Sequence, residues 1–196
     1  IRKIEGRLTI LEQKYPGCET QSADNGTSVP AESASSEAEG TLMKFPAFEG
    51  KDLDGKDVKS SELFAGNSVT VVNFWFTTCK PCVDELSALD ALNQKLAEKG
   101  GAVVGVNSFT LDGDAAAIAE AKDLLAKKSV SYRNLWFGAD SEAGKFTAGI
   151  YSFPTTYVVD QAGNIVGEPI VGAISETKQA ERLNQLIEQA IANSKK

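Results

Sequence analysis

Two cysteines separated by two residues, in Cys79-Lys80-Pro81-Cys82, are the side chains of this sequence best suited to chemistry. At that spacing two sulfurs share one helical turn, so they can close a disulfide and reopen it by exchange with another thiol. An inert buried pair or half of a zinc site would show the same spacing. The sequence has no histidine and no second C-x-x-C to complete a tetrahedral site, so no metal ligation is expected. Three cysteines are also too few for a disulfide scaffold. Without histidine, proton transfer must fall to carboxylates, Lys, Tyr, Cys or water.

The elements around the motif give the two sulfurs different roles. Val69 to Phe76 is a β-branched and aromatic run without strict alternation, the pattern of a central strand covered on both faces. A helix is predicted from about Pro81 to Lys99, stopped by Gly100-Gly101, with Pro81 in a first turn that tolerates proline. Cys79 then sits at the helix N-terminus, where free N–H groups and the dipole favour a thiolate, and Lys80 adds a positive charge. Thiol pKa values in such settings fall to roughly 3.5–7.5 from about 8.5. Cys79 is therefore expected to attack, and Cys82, deeper on the same face, to resolve. Cys82, Glu85, Leu86, Leu89, Leu92 and Leu96 form one stripe at helical spacing. Two readings of Glu85 are open: an inward carboxyl with a raised pKa that handles the Cys82 proton, or a glutamate at the stripe's edge reaching solvent.

Composition bounds the rest. The 196 residues carry a net charge of −7, which argues against a general nucleic-acid surface, and their 42% hydrophobic content suffices for one ordinary core. No apolar run is long enough to span a bilayer. Residues 1–40 are expected to form a flexible tether, because Glu19 to Gly40 has almost nothing that could pack. Within it Ile4-Glu5-Gly6-Arg7 matches a protease-cleavage sequence, either an added tag or native sequence that matches by chance. Ile4, Leu8 and Leu11 recur at helical spacing, and Cys18 is read as a free thiol or a residue of an added tag rather than a lipidated one. Residues 41–196 are expected to fold as one domain. Phe48 to Val58 reads as a β-hairpin, followed by a short helix from Ser60 or Ser61 to Gly66. Ala102 to Phe109 and Val130 to Phe137 read as strands, and Asp114 to Lys128 and Ser141 to Gly149 as helices. A hairpin pairs Thr155–Asp160 with Asn164–Gly167, and a last helix runs from Ser175 to Ala192. This order gives an α/β sandwich with a mixed sheet.

Val71 to Leu86 and Phe153-Pro154-Thr155-Thr156-Tyr157-Val158-Val159-Asp160 together resemble the thioredoxin superfamily, and most closely its extracytoplasmic TlpA/ResA-like branch, a redoxin-type domain. The resemblance, over Phe45 to Ala192, implies a thioredoxin-like three-layer sandwich with an N-terminal β-hairpin and a strand–helix insertion around Ala102 to Lys128. It implies a thiol–disulfide oxidoreductase that reduces protein disulfides outside the cytoplasm, needs no cofactor beyond the Cys79–Cys82 disulfide, and is tethered to a membrane or cell surface. A membrane thiol donor of the CcdA/DsbD kind would recharge it, and it would act as a monomer. By resemblance Pro154 is a cis-proline beside the disulfide, the Phe153 backbone pairs with an extended substrate segment, and Trp75, Thr78, Lys80, Pro81, Phe153, Pro154 and Thr155 line the substrate site. Ordinary thioredoxins carry a buried aspartate where this sequence has Asn73, whereas this branch has a glutamate three residues after the second cysteine; the resemblance thus favours Glu85 as the proton carrier.

There are departures. Thr78 replaces an aromatic in the usual Trp-Ala-x-Trp-Cys, and Leu86-Ser87 lacks the proline that kinks the family's helix. Two other functions stay open. A peroxiredoxin-like thiol peroxidase would need Pro-x-x-x-Thr/Ser-x-x-Cys, but the strand before Cys79, with Phe74, has no proline. A tethered redox-partner binding module would use the pair only to hold its target.

Overall fold

The computed structural model describes residues 43–195. The tether, the Ile4–Arg7 sequence, the first helical pattern and Cys18 lie outside the described residues. The elements are β1 (Glu49–Asp52), β2 (Asp57–Lys59), α1 (Ser60–Ala65), β3 (Val69–Trp75), α2 (Lys80–Ala97), β4 (Ala102–Asn107), a 3-10 turn (Leu111–Gly113) and α3 (Ala115–Lys127). They continue as β5 (Arg133–Phe137), α4 (Glu142–Ala148), β6 (Thr155–Asp160), β7 (Ile170–Val171) and α5 (Thr177–Asn193). The seven strands make one sheet in the order β2-β1-β5-β4-β3-β6-β7. The pairs β3–β4 and β4–β5 are parallel; β1–β2, β1–β5, β3–β6 and β6–β7 are antiparallel.

β3 is buried along its whole length because both its faces are covered. Val71 and Trp75 point to the layer that holds Leu86 and Leu89 of α2, Leu125 of α3 and Leu183, Leu186 and Ile187 of α5. Val72 and Phe74 point the other way, into a phenylalanine-rich core with Phe45, Phe48, Phe64 and Phe137. Alternation of side chains across one strand thus divides the apolar residues between two cores, and helices on both faces complete the three-layer sandwich. α2 runs without a break through Leu86-Ser87, as expected where the proline is missing.

Two elements differ from the sequence reading. The strand expected from Val130 begins only at Arg133. Ser129 has a left-handed φ of 56°, and the Ser131 N–H and hydroxyl both donate to Asp90 Oδ1, at 2.6 and 2.8 Å, so this stretch is tied to α2 instead of a neighbouring strand. The Asn164–Gly167 arm of the last hairpin makes a single bridge to β6, Ile165 to Val159, while its Asn164 bridges Lys44 instead. Pairing resumes at β7, where Ile170 and Val171 face Thr156 and Thr155. Gly167 (φ 68°) turns the chain away from β6, and Pro169 has no N–H to give to a ladder.

A polar row crosses the sheet beneath α2. Thr156 on β6 pairs with Asn73 on β3, Asn73 with Gly105 on β4, and Gly105 with Asn134 on β5. Gly105 makes the row possible: a Cβ there would lie 2.1 Å from Asn134 Oδ1, the atom that accepts the Trp75 indole N–H at 2.9 Å. Gly105→Ala is expected to break that bond and destabilise the domain by about 2 kcal/mol or more, read as a fall in the midpoint of denaturant unfolding with an unchanged slope.

Candidate active site at the N-terminus of helix α2

β3 ends at the buried Trp75, and Phe76 to Thr78 turn the chain so that the Cys79 N–H donates to the Phe76 carbonyl at 3.1 Å. Cys79 is the N-cap of α2, and its Sγ accepts from the Cys82 backbone N–H at 3.3 Å. The two sulfurs form a disulfide with Cα atoms 5.3 Å apart. Cys79 is 7% exposed and Cys82 has no exposed surface, so an incoming sulfur can reach only the first. Pro81 falls in the first turn, where a missing N–H leaves no bond unmade. The helix end therefore gives a sulfur anion at Cys79 a hydrogen bond and the positive end of the dipole.

Lys80 contributes less than its position in the motif suggested. It is highly exposed and its ammonium pairs with Asp84 one turn along, at 2.5 Å. The pair holds the Asp84 carboxyl below its usual range and offsets the positive charge beside Cys79.

Glu85 lies at the inward edge of α2 one turn after Cys82, with no exposed surface. Its Oε1 accepts from Asn73 Nδ2 at 2.9 Å, and its Oε2 from the Ile174 backbone N–H at 2.7 Å. Burial disfavours the charged form more than these two bonds favour it, and the pKa rises from an ordinary 4.5 to about 7. The reading in which Glu85 reaches solvent is thereby excluded. Tyr132, itself buried, carries a phenol pushed upward by burial and by the charges of Glu85 and Asp90.

The second sequence block leads into β6, where Thr155 lies opposite Phe74 of β3. The Phe153–Pro154 peptide bond is cis, Pro154 is buried, and the Pro154 carbonyl accepts from the Gly172 N–H at 2.9 Å. Among the described residues no hydrogen bond reaches the Phe153 backbone. The Phe153 ring meets Phe76 edge-on at 5.1 Å, and Phe76 in turn meets Phe109, half exposed, at 5.1 Å. Thr78 and Pro81 are exposed beside Cys79.

Two expected substrate contacts are corrected. Trp75 has no exposed surface, because it shares the inward parity of Val71 and Asn73 on β3 and its indole is bonded to Asn134. It supports the site from below and cannot touch a partner. Thr155 is 3% exposed, opposite Phe74 in the β6 register, and its hydroxyl donates to the Ser152 carbonyl at 2.7 Å, closing the proline loop. Several contributors were not singled out from the sequence. The Ile174 N–H is a backbone group and leaves no residue-type signal. Thr156 and Asn134 are ordinary strand residues until the register aligns them. Phe76 and Phe109 come together only through the loop after β4, where the Phe109 N–H donates to Asn107 Oδ1 at 2.9 Å.

Comparison with known proteins agrees with this geometry. Residues 42–167 match the AhpC/TSA family model. The thiol-disulfide oxidoreductase ResA of Bacillus thuringiensis is 32% identical over 134 residues, covering 67% of this chain and 65% of that protein; the chain thus spans slightly less than two thirds of such relatives' length. The thiol:disulfide interchange protein DsbE of Pseudomonas aeruginosa is 30% identical, with 75% of each chain covered. Among solved structures, a thiol:disulfide interchange protein DsbE from Chlorobium tepidum superposes with a TM-score of 0.61 at 26% identity, covering 76% of this chain and 96% of that one. The chain belongs to the AhpC/TSA family, and within it to the thioredoxin-like ResA/TlpA branch.

Proposed function

We propose that the chain is a thiol–disulfide oxidoreductase that reduces protein disulfides outside the cytoplasm. One observation carries this reading: a disulfide caps the N-terminus of α2 with its outer sulfur reachable, and a buried carboxyl with a pKa near 7 lies one turn behind its inner sulfur. In the reduced form the Cys79 thiolate attacks one sulfur of the substrate disulfide, forming a mixed disulfide and expelling the other sulfur as a thiolate that takes up a proton from solvent. The Cys82 thiol passes its proton to the Glu85 carboxylate, and the Cys82 sulfur then attacks Cys79 Sγ. The Cys79–Cys82 bond forms, the mixed disulfide breaks, and the second substrate sulfur leaves and takes up a proton. Two electrons pass from the chain to the substrate, and the cysteine pair itself is the redox group.

Pro154 shapes the wall against which the substrate lies, and the Phe153 backbone, whose N–H and C=O have no partner among the described residues, offers a donor and an acceptor to an extended segment. Thr78, Lys80 and Pro81 form the exposed rim on the other side of Cys79. The resemblance to ResA and DsbE, together with the polar composition of residues 19–40, supports an extracytoplasmic enzyme on a surface tether. A membrane thiol donor of the CcdA/DsbD kind would re-reduce it, and it would work as a monomer. No described helix is long and apolar enough to cross a membrane, so the anchor in this reading lies elsewhere.

Cys82→Ser is expected to accumulate mixed disulfides through Cys79, visible on non-reducing gels and by mass spectrometry, and Cys79→Ser to accumulate none; equal trapping by both variants contradicts the assigned roles. Glu85→Gln is expected to slow resolution of the mixed disulfide at pH 7 by at least about tenfold. The same substitution changes how stability depends on pH. Because the folded-state pKa is raised, the native chain holds more protons than the unfolded one between about pH 4.5 and 7, and stability falls as pH rises through that window. Removing the carboxyl removes that fall, a difference of about 3 kcal/mol above pH 7 from the size of the shift. Denaturant unfolding of the oxidised protein across pH measures it.

A further inference from the structure

A buried group that takes up and releases a proton needs surroundings that serve both of its states. A carboxylate only accepts hydrogen bonds, whereas a carboxylic acid also donates one. Of the two groups that hold Glu85, the Ile174 N–H serves only an acceptor oxygen. Asn73 is the other, and its bonding is lopsided. Its Nδ2 donates both to Glu85 Oε1 at 2.9 Å and to Thr156 Oγ1 at 3.1 Å, while its Oδ1 is buried with no hydrogen-bond partner among the described residues. Leaving a buried amide oxygen without a hydrogen bond is unfavourable, and an apolar residue on this inner strand would avoid that cost.

The cost has a use when Glu85 is protonated. The amide oxygen and nitrogen are nearly the same size, and a half-turn about the terminal bond exchanges them. In the turned orientation Oδ1 faces Glu85 and accepts its new O–H. The Thr156 hydroxyl, a donor as well as an acceptor, rotates to donate to the same oxygen. We propose that Asn73, with Thr156, is the positioning residue of Glu85: an amide that turns over with the charge on the carboxyl, so that the proton carrier keeps one position in both states. This inference rests on Glu85 as the proton carrier of the proposed reaction. It adds that Asn73 sets the pH at which Glu85 changes state.

The titratable groups on this side of the sheet are few. Cys82 precedes Glu85 by one turn of α2, Tyr132 approaches from the start of β5, and Asp90 stands further along α2. Asp160 shares the inward face of β6 but lies four residues from Thr156, with its carboxyl bonded to the Ala162 and Asn164 backbone. β3 and β4 supply Asn73 and Gly105, neither of which titrates.

The test is a nitrogen–proton NMR titration of the oxidised protein from about pH 5 to 9, following the Ile174 backbone amide and the Asn73 side-chain amide. In the wild type both are expected to move with one midpoint, and Glu85→Gln abolishes both movements. Asn73→Asp, which sets a second carboxyl against the first, is expected to raise the Ile174 midpoint by more than one pH unit. Asn73→Leu, close in shape and without polar atoms, is expected to raise it by about half a unit or more, and decides the matter if the aspartate variant does not fold. An unchanged Ile174 midpoint in a folded variant makes Asn73 merely structural and overturns the proposal, as does an Asn73 amide that stays still while Ile174 titrates. Failure of the enzymatic reading looks different: the midpoints shift as described, yet the rate of mixed-disulfide resolution does not follow them.

Discussion

A carboxyl group with no exposed surface, held between an asparagine amide at 2.9 Å and a backbone amide at 2.7 Å, sits one helical turn from a fully buried sulfur. Most of the site can be derived from what that arrangement requires. Burial alone would raise the pKa of Glu85 far, and two donated hydrogen bonds bring it back to about 7, where the group can both accept and release a proton at neutral pH. Each donor comes from a different part of the chain, Asn73 from the central strand and Ile174 from the segment between β7 and α5. The site exists only when the sheet, α2 and that segment are assembled. Its chemistry is in this sense a property of the tertiary fold and not of a four-residue motif.

The same packing separates the two cysteines by environment. The N-cap position leaves Cys79 narrowly open to solvent, at 7% exposure, with a backbone N–H directed at its sulfur, while Cys82 is sealed in the core with Leu86 and Leu89. One sulfur is thus stabilised as an anion by backbone dipoles, and the other depends on a nearby base to become one. Lys80, the only charged residue inside the motif, is occupied by Asp84 and leaves this division to the helix and to Glu85. The Pro154 loop is braced twice, by the Gly172 N–H on its carbonyl and by the Thr155 hydroxyl on Ser152. The segment from Gly172 to Ile174 therefore touches both the proline loop and the buried carboxyl, which links that loop to Glu85.

Much of this was legible in the sequence. The run Val69 to Phe76, the proline in the first helical turn and the stripe from Cys82 to Leu96 specify the strand, the helix and its buried face, because hydrophobic periodicity reports burial directly. Glu85 stood out as a carboxylate inside an apolar stripe, although the stripe alone did not decide between core and edge. What the sequence could not display is pairing across distance. The resemblance placed Trp75 at the substrate site, yet strand parity turns it inward to Asn134. Gly105 carried no signal of its own, since its role is to leave room for a side chain from another strand. The late start of β5 and the broken return of the last hairpin depend on Asp90 and on Gly167-Glu168-Pro169, whose local effects outweigh strand propensity.

The most direct test of the account is the ionisation of the Glu85 carboxyl itself, read from its side-chain carboxyl carbon resonance in the oxidised protein as pH is varied. A midpoint near 7 is the predicted result. A midpoint near the ordinary 4.5 would contradict a buried proton carrier beneath the disulfide, and with it the division of labour between the two cysteines.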